Sequence, residues 1–224
     1  MKKNISPKLK AIIFDFDGVI CESVEVKTEA FRQLFLDYPK HLDEIMRYHI
    51  INGGIGRFVK FKFIYENILK KELTPQHSEY LGRRFTELAY QGVVDAPFVK
   101  GAKEFLDKYH QKILLFVISG TPEDELNDIL MARKIGHYFK SAYGTPRTKG
   151  ELTKLIMHQY HIPSSEIIFV GDSINDFSGA KEAGVRFIGR IHEGYENPFK
   201  GITSIDLVGD LDALDLLLRK EGLL

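Results

Sequence analysis

The chain has 224 residues with 31 basic and 31 acidic side chains, 44% hydrophobic residues and a single cysteine. That length suits a core domain plus an insert, and the apolar content argues against disorder. The balanced charge speaks against a nucleic-acid or anionic-membrane partner, and the lone Cys21 excludes an internal disulfide framework and fits a reducing compartment. Met1–Pro7 lacks the apolar stretch of a secretory signal, and no later segment approaches roughly eighteen uncharged apolar residues, so the expected location is the cytoplasm.

The first element is the apolar run Lys10–Ile20, which breaks into Asp15, Asp17 and Gly18. It reads as a buried parallel strand delivering two carboxylates to its carboxyl end, where open α/β sheets bind ligands. Asp15 and Asp17 lie two apart and so share one face in extended backbone. From about residue 22 to 92 the apolar spacing becomes helical. Helices are expected over Glu22–Leu36, Leu42–Ile51 and Arg57 to about Lys71. A fourth opens at Thr74-Pro75, as cap and first-turn proline, and runs to about Tyr90. Asn52-Gly-Gly-Ile-Gly-Arg57 separates the second from the third.

Strand and helix then alternate. After a helix ending near His110, Lys112–Ile118 is an apolar strand closed by Ser119-Gly-Thr-Pro122. Thr121-Pro122-Glu-Asp-Glu has the form of a helix start, a cap and a proline before first-turn acids, for a helix to about Lys134. A short strand at Ser141–Tyr143 precedes a loop with Lys149 and a helix to about Tyr160. Ile167–Val170 is a further buried strand, closed by Gly171-Asp-Ser-Ile-Asn-Asp176. A helix to Ala183, a strand at Arg186–Ile188 and a last strand and helix within Thr203–Leu218 complete the pattern. Such alternation implies right-handed crossovers. The expected fold is a doubly wound, Rossmann-like α/β parallel-sheet core (1–20 and 93–224) with an inserted four-helix cap domain (21–92).

Four strand ends thus present polar residues to one crevice: Asp15 with Asp17, Ser119, the loop around Lys149, and Asp172 with Asp176. In this order they resemble the four motifs of the haloacid dehalogenase superfamily of phosphohydrolases. The helical insert is similar to the small cap of the subfamily with phosphoglycolate phosphatases and β-phosphoglucomutases. The resemblance implies a Mg²⁺-dependent phosphatase of small phosphorylated metabolites, monomeric or homodimeric. Its alternatives are a sugar-phosphate mutase and a non-catalytic binding module on the same fold. The mutases carry a histidine where this chain has Lys27, which weakens that alternative, and the presence of Asp17 disfavours carbon–halogen cleavage.

The chemistry also follows from the residue types. A phosphate monoester dianion repels a carboxylate nucleophile, so a cluster of acids with room for Mg²⁺ lowers that barrier. Asp15 is the expected nucleophile and Asp17 the acid and base. Ser119 with the amides of Gly120 and Thr121 would hold the phosphoryl oxygens, balanced by Lys149. Metal is assigned to Asp15, Asp172 and the carbonyl of Asp17, with Asp176 supporting that shell or orienting Lys149. Taken singly, each residue has a plainer reading: a turn or helix cap for the aspartates, a loop hydroxyl for Ser119, a surface lysine for Lys149. Gly53–Arg57 is either a bare helix–helix turn or a substrate-facing loop. In the second case Arg57 would offer its planar fork to the distal part of the substrate, and Lys60, otherwise a solvated helix lysine, would assist.

Overall fold

The computed structural model describes residues 8–224; the reading of Met1–Pro7 lies outside them. Strand β1 (Ala11–Phe14) is wholly buried. It pairs in parallel with β2 (Leu114–Pro122) on one side and β4 (Ile167–Gly171) on the other. With β3 (Ser141–Thr145), β5 (Arg186–Arg190) and β6 (Asp206–Val208) these form a six-stranded sheet in the order β3-β2-β1-β4-β5-β6. Every pairing is parallel, which explains why the strands read as continuous apolar runs: helices cover both faces. The strand order reverses direction between β1 and β4, and at this switch point the carboxyl ends of β1, β2 and β4 converge.

Helix α1 (Val24–Leu34), α2 (Leu42–Ile51), α3 (Arg57–Phe63) and α4 (Pro75–Asp95) follow β1 without an intervening strand. They pack on one another around Phe31, Phe35, Phe61 and Phe85. Helix α3 is shorter than its apolar spacing suggests, because Ile64–Ile68 widens into one π-type turn. The stripe Phe61, Ile64, Tyr65 and Ile68 is nonetheless buried, with Phe58 left half exposed. Helix α4 begins as expected, the Thr74 hydroxyl accepting from the His77 amide, and runs on to Asp95.

The remaining helices are α5 (Ala102–Tyr109), α6 (Glu123–Ala132), α7 (Lys149–Gln159), α8 (Ile174–Ala183) and α9 (Leu211–Lys220). The start of α6 corrects the sequence reading. Strand β2 continues through Ser119 to Pro122, and Thr121 does not cap the helix. Its hydroxyl is taken instead by the Lys27 ammonium at 2.7 Å and the Ser119 hydroxyl at 3.1 Å. A tertiary partner has displaced the local cap. Among the described residues, no helix is long and apolar enough to cross a membrane.

Candidate active site

Asp15 follows β1 directly and is buried. One carboxylate oxygen accepts from the Phe16 amide at 2.7 Å, and the other lies 2.9 Å from the Lys149 ammonium. Lys149 is the first residue of α7, a helix opened by a reciprocal cap between Thr148 and Glu151. Its ammonium also bonds the Asp176 carboxylate. Lys149 is therefore no surface lysine. Burial alone would lower its pKa, but the carboxylates of Asp15 and Asp176 outweigh burial and hold it raised.

Asp172 and Asp176 come from the turn after β4. Asp176 sits in the first turn of α8, where its carboxylate accepts from the Ser173 amide at 3.0 Å and the Ser173 hydroxyl at 2.5 Å. One side chain thus closes the helix N-terminus and grips Lys149. Carboxylate oxygens of Asp15, Asp172 and Asp176 all lie within 4.8 Å of one another. Burial, and then the Asp176 charge, push the Asp15 carboxyl well above its usual range; burial raises that of Asp172 too. Crowded, desolvated carboxylates at this separation are a donor set that fits a hard divalent cation, which prefers oxygen ligands. Gly18, at φ +73°, lets the chain turn there: a Cβ would come within 2.0 Å of an Asp172 oxygen.

Asp17 lies beside this cluster. Burial would raise its pKa, but the Lys27 ammonium, which bonds it directly, and the Ser23 hydroxyl at 2.7 Å lower it instead. The Ser119 hydroxyl is 3.5 Å from Asp17 and accepts from the Thr121 amide at 3.1 Å. The resemblance counted Lys27 as a departure; the structure makes it part of the site. The signal was available, since Lys27 lies four residues before the buried Phe31 on one face of α1.

Other members of the site were not legible. Arg190 ends β5 buried and donates to the Gly18 carbonyl at 2.8 Å, while forking onto Glu22 at 2.6 and 3.0 Å. It clamps the loop after β1 to the end of β5, two strands away across β4. His192 faces Asp172 at 3.7 Å.

The Gly53–Arg57 segment is more than a turn between helices. Gly54, at φ +75°, rests on the core: a Cβ there would meet the Ser173 hydroxyl at 2.6 Å and the Lys149 ammonium at 3.4 Å. Its carbonyl accepts from Asn175 at 2.9 Å. Arg57, the expected substrate reader, directs its fork onto Glu125 of α6 at 2.5 and 2.9 Å, with Thr86 of α4 at 2.7 Å. Lys60 is not a solvated lysine: it is 4% exposed, in reach of the His49 carbonyl at 3.1 Å. Between the helices and the strand ends lies a cavity of about 490 Å³ that Asp15, Asp17, Asp172, Thr121, Arg57 and Lys60 all help to line. Its size falls in the range of small-molecule sites.

A parallel sheet thus carries a candidate carboxylate nucleophile, a buried lysine and an acid cluster that could hold a cation at its switch point, an arrangement suited to a hydrolase. The comparisons agree. The model of the haloacid dehalogenase-like hydrolases matches residues 12–190. A phosphoglycolate phosphatase of Vibrio parahaemolyticus is 28% identical over 84% of this chain and 86% of its own. The crystal structure of a predicted phosphoglycolate phosphatase from Haemophilus somnus superposes with a TM-score of 0.70 at 22% identity, over 93% of this chain and 98% of that one. CbbY from Rhodobacter sphaeroides, in complex with phosphate, gives a TM-score of 0.71 at 18% identity, over 92% and 96%. The chain belongs to the haloacid dehalogenase-like hydrolase family. Within it, the chain is a phosphatase, a phosphoric monoester hydrolase.

Proposed function

We infer that this enzyme hydrolyses small phosphate monoesters, phosphoglycolate-like or sugar-phosphate-like, with Mg²⁺ and through an aspartyl-phosphate on Asp15. The observation that carries the reading is the placement of the buried Asp15 at the cavity, paired with Lys149 and grouped with Asp172 and Asp176. The names of the relatives support the phosphoglycolate-like choice.

In the first step an Asp15 oxygen attacks phosphorus and the bond to the leaving oxygen breaks. That oxygen takes a proton from Asp17. In the second step water attacks the aspartyl-phosphate, Asp17 receives the water's proton, and Asp15 is released as a carboxylate with free phosphate as product. The lowered pKa of Asp17 keeps it ionised and free to take a proton, though as a weaker base; the incoming phosphate dianion pushes the pKa upward and so favours the protonated form that serves as acid. The hydroxyl of Ser119 and the amides of Gly120 and Thr121 receive phosphoryl oxygens, and Lys149 balances the charge around them. Asp15, Asp172 and the Asp17 carbonyl would hold Mg²⁺, with Asp176 behind them; when bound, the ion offsets the charge of the phosphoryl group and the acids. The buried, single Cys21 supports a cytoplasmic setting.

The test is phosphate release from a panel of phosphate monoesters with Mg²⁺, by wild type and Asp15→Asn. Release by the wild type that disappears in the variant and under chelation is expected. Retention of turnover by Asp15→Asn, or an isomerised sugar phosphate in place of free phosphate, would overturn the reading.

A further inference from the structure

Four lysine and arginine side chains line the cavity among the described residues: Lys27, Arg57, Lys60 and Arg190. Three are already neutralised. Lys27 is paired with Asp17, Arg57 with Glu125 and Arg190 with Glu22. Lys60 alone has no carboxylate partner; its ammonium faces the His49 carbonyl at 3.1 Å and the His49 Nδ1 at 3.4 Å, with the Phe31 ring centroid at 5.9 Å. Burial, then Lys60 and Lys27, push His49 down to about 2, so this ring is neutral and offers Lys60 no negative charge. Glu25 and Glu196 also line the cavity, but among the described residues neither forms an ion pair with Lys60, and the Glu25 carboxylate accepts from the Tyr195 hydroxyl.

A buried ammonium without a counter-ion is an unfavourable arrangement that an entering anion relieves. We propose that Lys60 is the specificity-determining residue of this enzyme: its ammonium, seated on His49, receives a carboxylate carried by the organic part of the substrate. This rests on the phosphatase reading and names the substrate class for it: short phosphate monoesters of hydroxy acids. A single charge with no second free cation beside it matches a monoanionic carboxylate better than a second phosphate dianion, and Arg57 is held by Glu125. Burial and the neighbouring Lys27 lower Lys60 to about 7, so the carboxylate is bound with proton uptake at this group. The charge that acts on it is Lys27 from α1, and the neutral His49 ring of α2 touches it; the cavity wall also carries Arg57 from its own helix and the acids Asp15, Asp17, Glu25, Asp172 and Glu196.

The experiment compares phosphoglycolate with ethyl phosphate, which lacks the carboxylate, for wild type and Lys60→Met. Two readouts are taken: kcat/KM for phosphate release, and calorimetric binding to each protein in the Asp15→Asn background, which needs no turnover. The wild type is expected to prefer phosphoglycolate, and Lys60→Met to compress that preference on the order of a hundredfold in both readouts. An unchanged ratio in the variant, equal losses on both ligands, or a wild type without preference would overturn the assignment. Preferential binding lost in Lys60→Met but with no phosphate release by the wild type would uphold Lys60 and overturn the phosphatase mechanism. Release without preference would do the reverse.

Discussion

Replacing Lys60 by methionine removes a buried charge while keeping most of the side-chain volume. In the folded chain burial, and then the Lys27 charge, bring the Lys60 ammonium from 10.5 down to about 7. The unfolded chain holds this proton up to about 10.4, so between the two values it binds more protons than the native state, and native stability rises with pH across that window. Below about 7 both states are protonated and the full cost of burying the charge is present. A shift of this size corresponds to about 5 kcal/mol at about 1.4 kcal/mol per unit, which is a ceiling because local relaxation and water entry reduce it. Lys60→Met carries no such charge. Its stability relative to the parent is expected to be most favourable near pH 6 and to decline by at least about 2 kcal/mol by about pH 10. Urea unfolding of both proteins at intervals over that range measures the difference, in which other lysines and tyrosines cancel. His49 titrates far below the window. Parallel stability curves for the two proteins would refute a buried, uncompensated ammonium.

Three further outcomes follow from the same contacts. Arg57→Met leaves the mostly buried Glu125 carboxylate with the Thr86 hydroxyl at 2.6 Å, and is expected to cost about 3 kcal/mol in urea unfolding, partly recovered by adding Glu125→Gln; a loss under about 0.5 kcal/mol would refute a structural clamp. Mg²⁺ is expected to raise the thermal midpoint of the wild type and to do so far less in Asp172→Asn, whose cluster lacks one charge; equal shifts in both proteins would place the ion elsewhere. Gly18→Ala introduces a Cβ 2.0 Å from an Asp172 oxygen at φ +73°, and is expected to cost about 1–3 kcal/mol and to weaken Mg²⁺ binding in calorimetry. A variant as stable as the parent, with the same affinity, would refute the close approach.

The periodicity of the chain determined the alternation of strands and helices, the helical run between β1 and β2, and the delivery of Asp15, Ser119, Lys149 and Asp172 to adjacent positions in the fold. These follow from local rules: buried parallel strands must be apolar, turns need aspartate or glycine, and crossovers are right-handed. Local rules failed where a distant partner competed. Thr121 carries a helix-capping signature, yet its hydroxyl serves Lys27, which lies 94 residues away. Lys60 and Lys149 are ordinary lysines by sequence, and only packing buries both; the difference between them, a pair of carboxylates for one and a neutral histidine for the other, arises from which helices meet. Arg57 is the plainest case. Its residue type and its loop suit an anion reader, but Glu125, on a helix of the other part of the chain, takes both arms of the fork. Charge pairing depends on distances of a few ångströms across the fold, and a one-dimensional pattern carries no record of them.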